Sequence, residues 1–169
     1  MNNEEIQIKV IRLRPNIELP SYMHKGDSGM DVRAAEDMLI RPGESVLVPT
    51  GLIFEIPYGW EIQIRPRSGL SYKTPLRLPN SPGTIDSGFR DELHILMHNS
   101  SCPCQSEEED AVYDLNERSN RKGTYRIHAG DRIAQMVFGQ VARVRLVAAE
   151  TISNKLYDRG GGFGHSGVD

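Results

Sequence analysis

Trp60-Glu61-Ile62-Gln63-Ile64-Arg65 alternates apolar and polar side chains along its whole length. Successive side chains of an extended strand point to opposite faces, so this period of two describes a strand with one buried face. Leu52, Phe54 and Ile56 alternate in the same way just upstream, and Leu93, Ile95 and Met97 do so downstream. Further strand candidates are Gln7 to Leu13, Ser45 to Val48, Ile133 to Phe138 and Val141 to Val147. Turn signals separate them at Pro42-Gly43, Pro57-Tyr58-Gly59, Ser81-Pro82-Gly83 and Ala129-Gly130-Asp131. No stretch sustains a long helical period. Many short strands punctuated by Gly and Pro predict an all-β barrel or jelly-roll-type domain, with at most one short helix near Gly69 to Lys73.

A chain of 169 residues is long enough to bury one sizeable core, which sets a single domain as the expectation. That domain is placed at residues 1–158. Two segments depart from it. Residues 99–123 are polar, include Glu107-Glu108-Glu109-Asp110 and exceed the usual strand connection, so they read as an inserted loop, either an ordered excursion or a mobile one. Residues 159–169 form a Gly-rich arm, which taken alone is a flexible end. Hydrophobic residues at 38% and charged residues at 25% fit a soluble globular chain, and no apolar run is long enough to span a bilayer. The polar, acidic start Met1-Asn2-Asn3-Glu4-Glu5 is unlike a secretory signal, so a cytoplasmic location is expected. Cys102 and Cys104 are separated by one residue, poor spacing for a structural disulfide and in keeping with free thiols in a reducing compartment. A net charge of −3 argues against stable nucleic-acid binding, while leaving room for a small anionic substrate held by a few arginines, backbone N–H groups and a metal ion.

Some residues are placed to do chemistry. Arg67 and Ser68 follow a predicted strand and precede Gly69, so a guanidinium fork, a hydroxyl and turn N–H groups could converge on phosphate oxygens. A surface Arg closing a strand end is the plainer reading. Asp86 follows Ile85 in a Gly-rich turn segment, where a carboxylate can be rigidly held and still reach water. An isolated turn Asp more commonly hydrogen-bonds its own backbone. Gln135 offers both an amide donor and an acceptor. Asp131 and Arg132 read as a structural turn and an ion pair.

Five segments in chain order resemble the motifs of the trimeric dUTPase family: Ser28-Gly29-Met30-Asp31-Val32-Arg33-Ala34; Arg65-Pro66-Arg67-Ser68-Gly69-Leu70; Asn80 to Arg90; Gly130-Asp131-Arg132-Ile133-Ala134-Gln135; and Arg159 to Gly167. Each is weak alone, and the ordered set is specific. The resemblance implies a homotrimeric enzyme of that jelly-roll-like fold, hydrolysing dUTP to dUMP and diphosphate. Its implied catalytic residue is Asp86, which orients and deprotonates a water for in-line attack on the α-phosphorus. It implies phosphate binding by Arg67, Ser68, Gly69 and Gln135, and uracil recognition by the backbone of Gly83, Thr84 and Ile85 with Asn80 nearby. Phe89 stands where the family usually has Tyr under the deoxyribose, and Asp91 where it usually has Gly; the first keeps an aromatic face without the hydroxyl. The arm is implied to close over nucleotide, with Arg159 and Ser166 on terminal phosphates, Phe163 stacked on the base, and Gly164 allowing close approach. His165 is either a phosphate contact or a solvent-facing side chain. The implied cofactor is Mg²⁺, carried by the triphosphate and water rather than by direct protein ligands. Asp31 either touches that water or stabilises the fold or subunit contact.

Three other readings compete. Cys102-Pro103-Cys104 with His94, His98 or His128 suggests zinc, but without the paired spacing of a zinc ribbon or deaminase. A dCTP deaminase of related fold is the nearest other enzyme, and Gly83-Thr84-Ile85-Asp86 with the Gly-rich arm fits it less well. A nucleotide-sensing protein acting on a partner through the acidic insert is the alternative outside enzymes.

Overall fold

The computed structural model describes residues 5–102, 111–117 and 120–151. In chain order the strands are β1 (Lys9–Arg12), β2 (Met30–Arg33), β3 (Met38–Ile40), β4 (Ser45–Pro49), β5 (Leu52–Glu55) and β6 (Trp60–Arg65). A short helix, α1 (Ser68–Lys73), follows. The remaining strands are β7 (Leu76–Arg77), β8 (Gly83–Asp86), β9 (His94–Asn99), β10 (Val112–Asp114), β11 (Thr124–Ile127) and β12 (Arg132–Gln140). They form four small sheets, ordered β2-β12-β6-β8, β4-β9-β7, β10-β11-β3 and β1-β5, which wrap one core into a jelly-roll-like barrel. No helix among the described residues is long and apolar enough to cross a membrane.

The alternation that predicted the strands is the alternation that is buried. Ile62 and Ile64 of β6, Leu52 and Phe54 of β5, and Ile95 and Met97 of β9 point into the core, while their polar neighbours do not. Tight turns link the strands where glycine relieves a positive φ, as at Gly59 (φ 83) after Pro57 and Gly130 (φ 92) before β12. Added bulk at Gly51, with φ 71 and Ile17 Cγ1 at 2.7 Å from an ideal Cβ, would meet both strain and a clash.

Three sequence expectations need correction. Val141 to Val147 is not a strand. After Val141 donates its N–H to Gly59 O at 2.8 Å, the backbone meets no described strand to pair with. Val144, Leu146 and Val147 are 80%, 92% and 75% exposed. The 99–123 segment is not loop throughout: Asn99 closes β9, and β10 pairs in parallel with β11. Tyr113 of β10 is buried against Tyr125, with ring centroids 5.8 Å apart, and the Asn120 N–H donates to Lys73 O of α1 at 2.8 Å. Asp131 and Arg132 do not pair with each other. Asp131 accepts the His128 backbone N–H at 2.8 Å, closing the turn, while Arg132 reaches Asp31 at 3.2 Å.

Candidate active site

The four-stranded sheet carries most of the candidate residues within the described chain. Antiparallel partners share a face. Asp31 stands opposite Gln135, and Gln135 opposite Arg65; at the far end of β6, Glu61 stands opposite Asp86. The outward face therefore runs from Asp31, Gln135 and Arg65, through Gln63 and Thr84, to Glu61 and Asp86, while Ile62 and Ile64 face the core. A side-chain chain links its middle: Arg65 Nη2 donates to Gln63 Oε1 and Gln63 Nε2 to Glu61 Oε1, each at 2.6 Å.

The first end of this face is tightly organised. Arg67 is the extended N-cap residue of α1, its carbonyl accepting the Ser71 N–H at 3.0 Å while its side chain makes no capping hydrogen bond. The guanidinium turns instead to the site. Its Nε donates to Asp31 Oδ1 at 2.8 Å and its Nη1 to Arg132 O at 3.3 Å. Arg132 Nη1 donates to Asp31 Oδ2 at 3.2 Å and Gln135 Nε2 to Asp31 Oδ1 at 3.4 Å. Burial pushes the Asp31 carboxyl up, yet the hydrogen bond and charge of Arg67, the Gln135 amide and the charge of Arg132 outweigh it and hold it below its ordinary value. Ser68 and Gly69 open α1 beside Arg67, and a Cβ at Gly69 would meet nothing within 4 Å.

The second end is open. Asp86 ends β8 exposed to solvent, and among the described residues nothing donates to its carboxylate; its backbone carbonyl accepts the Phe89 N–H at 3.0 Å. Phe89 is exposed at the surface of that turn, and Arg90 Nη1 donates to Ser87 O and Phe89 O, both at 2.7 Å. Asp91 takes no positive φ, so the backbone accepts it without strain where the resembling family has glycine. Asn80 lies against β8. A Cβ at Gly83 would sit 3.3 Å from Asn80 Nδ2 and 3.4 Å from Ile64 Cβ, so the missing side chain lets the amide approach the strand backbone. Thr84 and Ile85 follow in register with Gln63 and Ile62.

These two ends do not meet within one chain. The partners of Gln135 and Asp86 on β6, Arg65 and Glu61, are four positions apart, about 13 Å at the usual strand rise. A cavity of about 600 Å³ lies elsewhere, with Leu19, Tyr22, Phe54, Trp60 and Phe138 in its mostly apolar lining and no candidate site residue. Arg159, Phe163, Gly164, His165 and Ser166 lie outside the described residues, as does Cys104. The histidines of the zinc reading have separate partners: His98 with Ser45, His94 with the Glu92 carbonyl, and His128 with Asp114.

A jelly-roll sheet whose outer face gathers guanidinium and amide donors at one end, and presents an open carboxylate beside a close-packed backbone edge at the other, has the chemistry to hold an anion and to activate water, as a hydrolase of anionic substrates does. Comparison with known proteins narrows the class. The dUTPase family profile matches residues 15–103, just over half of the chain. A deoxyuridine 5'-triphosphate nucleotidohydrolase of Solibacter usitatus is 41% identical over 96% of this chain and 97% of its own. Among solved structures, a tyrosine-to-phenylalanine mutant of the Staphylococcus bacteriophage 80alpha dUTPase with dUpNHpp is similar at TM-score 0.83 and 30% identity, covering 96% of this chain and 99% of that one. A mutant dUTPase from phage phi11 of S. aureus, described with a structural Mg(II) ion, is similar at TM-score 0.78 and 29% identity, covering 88% and 100%. The chain belongs to the dUTPase family.

Proposed function

We propose that this chain hydrolyses dUTP to dUMP and diphosphate in a homotrimer whose active sites are shared between copies. The observation that carries the shared site is the strand register, which sets Asp86 and the Arg67–Gln135 group at opposite ends of β6. A site needing both draws them from different chains. Arg67, Ser68, Gly69 and Gln135 of one copy bind the phosphates. Asp86 of a second stands at the water, with Asn80 and the backbone of Gly83, Thr84 and Ile85 on the uracil and Phe89 under the sugar. The arm of the third, through Arg159, Phe163, Gly164, His165 and Ser166, closes the site.

Backbone N–H and C=O groups in fixed order distinguish uracil from cytosine, and a close-fitting edge rejects the thymine methyl. Asp86 accepts a proton from a water as that water's oxygen bonds to the α-phosphorus. The bond from that phosphorus to the bridging oxygen breaks in line, and diphosphate leaves with the electron pair. An exposed carboxylate with no donor among the described residues is suited to this work, and closure of the arm would order the water and exclude others. Mg²⁺ fits as a passenger on the triphosphate, because the one carboxylate beside the phosphate donors, Asp31, already accepts from Arg67, Arg132 and Gln135. Bound there, it would be held by phosphate oxygens and water, with Asp31 at the edge of that shell, and would neutralise phosphate charge.

The test mixes two inactive variants, Asp86→Asn and Arg67→Gln, by unfolding and reassembling them in equal amounts. With Asp86 and Arg67 supplied by different chains, each arrives intact with odds of one half, so roughly one quarter of sites recover dUTP turnover under random cyclic assembly. Confirmed mixed trimers without recovered turnover would refute the shared site. Wild-type protein that releases no diphosphate from dUTP would refute the function.

A further inference from the structure

The helix that carries Ser68 is too short to hold itself. α1 has six residues, and a helix of that length draws its order from tertiary contacts. Leu70 anchors it in the core. Ser71 and Thr74 close it, their N–H groups donating to Arg67 O and Leu70 O at 3.0 Å each. On either side of Thr74 the carbonyls are taken by residues from the 99–123 segment. Lys73 O accepts the Asn120 N–H at 2.8 Å, and Pro75 O accepts the Ser100 N–H at 3.1 Å and the Ser100 hydroxyl at 2.7 Å. Ser100 lies just after β9 and Asn120 just before β11, so both roots of the segment grip the exit of the helix.

The local backbone is built for this contact. Asn120 is the one non-glycine with a positive φ (39) among the described residues, a left-handed turn that Asn takes at low cost. Behind it the segment is seated on the barrel. β10 pairs with β11, Thr124 donates its N–H to Ala111 O at 3.0 Å, and Asn99 Nδ2 donates to Gly123 O at 2.8 Å. Arg121 lies over the ring of buried Tyr113, 5.5 Å from its centroid. The turn therefore rests on several contacts together and on no single hydrogen bond.

We propose that the 99–123 segment braces α1 from its C-terminal end, with Asn120 a positioning residue for phosphate binding. The inference rests on the dUTP reading above, in which Ser68 and Gly69 hold phosphate. Lys73 is five residues beyond Ser68, about 7.5 Å at the usual helical rise, so a shift at the exit reaches the Ser68 hydroxyl as a tilt of the whole helix. Asn120 acts only through that helix.

Hydrogen exchange at the Ser71 and Thr74 amides, with calorimetric binding of dUpNHpp and of deoxyuridine, tests this on the whole protein. Asn120→Pro removes the N–H and cannot take the left-handed turn. It is expected to speed exchange at both amides by about fivefold and to weaken dUpNHpp by about fivefold, the worth of one hydrogen bond, with deoxyuridine affinity unchanged. Asn120→Gly keeps the N–H and the turn and should match wild type in all three measurements. Unchanged exchange or unchanged analogue binding in Asn120→Pro, an equal loss for both ligands, or an Asn120→Gly protein as weak as Asn120→Pro would each overturn the proposal. Should Asn120→Pro fail to fold, Asn120→Val decides: its β-branched side chain disfavours the turn while the N–H remains. It should speed exchange and weaken the analogue in the same direction, and the absence of either change would overturn the brace. Wild-type protein that binds neither ligand would instead overturn the dUTP reading, while exchange at α1 still reports on the brace.

Discussion

The two ends of the β2-β12-β6-β8 sheet are built on opposite principles. At the Arg65 end, every charged group in contact with Asp31 is already engaged before any nucleotide is present. At the Glu61 end, Asp86 is exposed, and no described residue donates to its side chain. The first arrangement stores order in the folded chain, where it contributes to stability as well as to binding. The second leaves a carboxylate whose worth appears only when substrate and further chains surround it. Substitution at one end should therefore be felt in folding, and at the other in turnover.

The sharpest way to break that contrast is Asp86→Asn. Turnover of dUTP should fall by about 10²- to 10⁴-fold, the usual range for loss of a general base, while the melting temperature stays within about 2 °C of wild type, as for most exposed substitutions. A large loss of stability would mean that the open end is not open. Asp31→Asn should behave in reverse and cost about 2 kcal/mol of stability through its charged hydrogen bonds, read from denaturant midpoints. The pH dependence gives the sign. A carboxyl held below its ordinary value contributes stability that is complete above about pH 4, the unfolded value, and is lost as pH falls through the lower folded value. The stability gap between wild type and Asp31→Asn should therefore close below that pH, and a gap constant from pH 6 to 3 would assign the loss to packing instead. Phe89→Ala, at the open end, should narrow the preference for dUTP over UTP by about tenfold as space opens for the 2′-hydroxyl; equal specificity ratios would place sugar selection elsewhere. The smallest effect is expected away from both ends, at Tyr125→Phe. Its hydroxyl donates to Arg121 O at 2.9 Å, and losing that bond should lower stability by about 1 kcal/mol with kcat and KM for dUTP unchanged.

The sequence was most readable where structure is local. β5, β6 and β9 declare themselves because one buried face imposes a period of two on neighbouring residues, and α1 sits where Ser68-Gly69 interrupts that period. β10 was not legible: three residues in a polar segment carry too little pattern, and their partner β11 pairs in parallel after an intervening loop. Val141 to Val147 shows the opposite failure, strand composition without a described strand to pair with. At the candidate site, Arg67, Ser68, Gln135 and Asp86 stood out by residue type and motif. Their separation along β6 did not, since it follows from register between strands distant in sequence. Arg132 was read into an ion pair with Asp131 and pairs instead with Asp31, because the register step at buried Ile133, which looks like any core position, puts it on the face of Gln135.

That same step in β12 makes chain length a constraint of a different kind from side-chain identity. Exchanging Ile133 for another apolar residue of similar size alters packing and little else, commonly by less than about 1.5 kcal/mol. Deleting it would leave Arg132 two residues from Gln135 and still on its face by simple alternation, whereas adding one residue beside it, with the register step kept, would drive the guanidinium toward the core, where an unpaired charge is among the most damaging changes a protein can suffer. Residues 99–123 hold a whole strand, β10, between β9 and β11, and a surface connection of that length is where a barrel takes up added residues most easily. Between Arg132 and Gln135 it should reject an added residue, and a collection of functional variants ought to contain many substitutions there but no single-residue insertion.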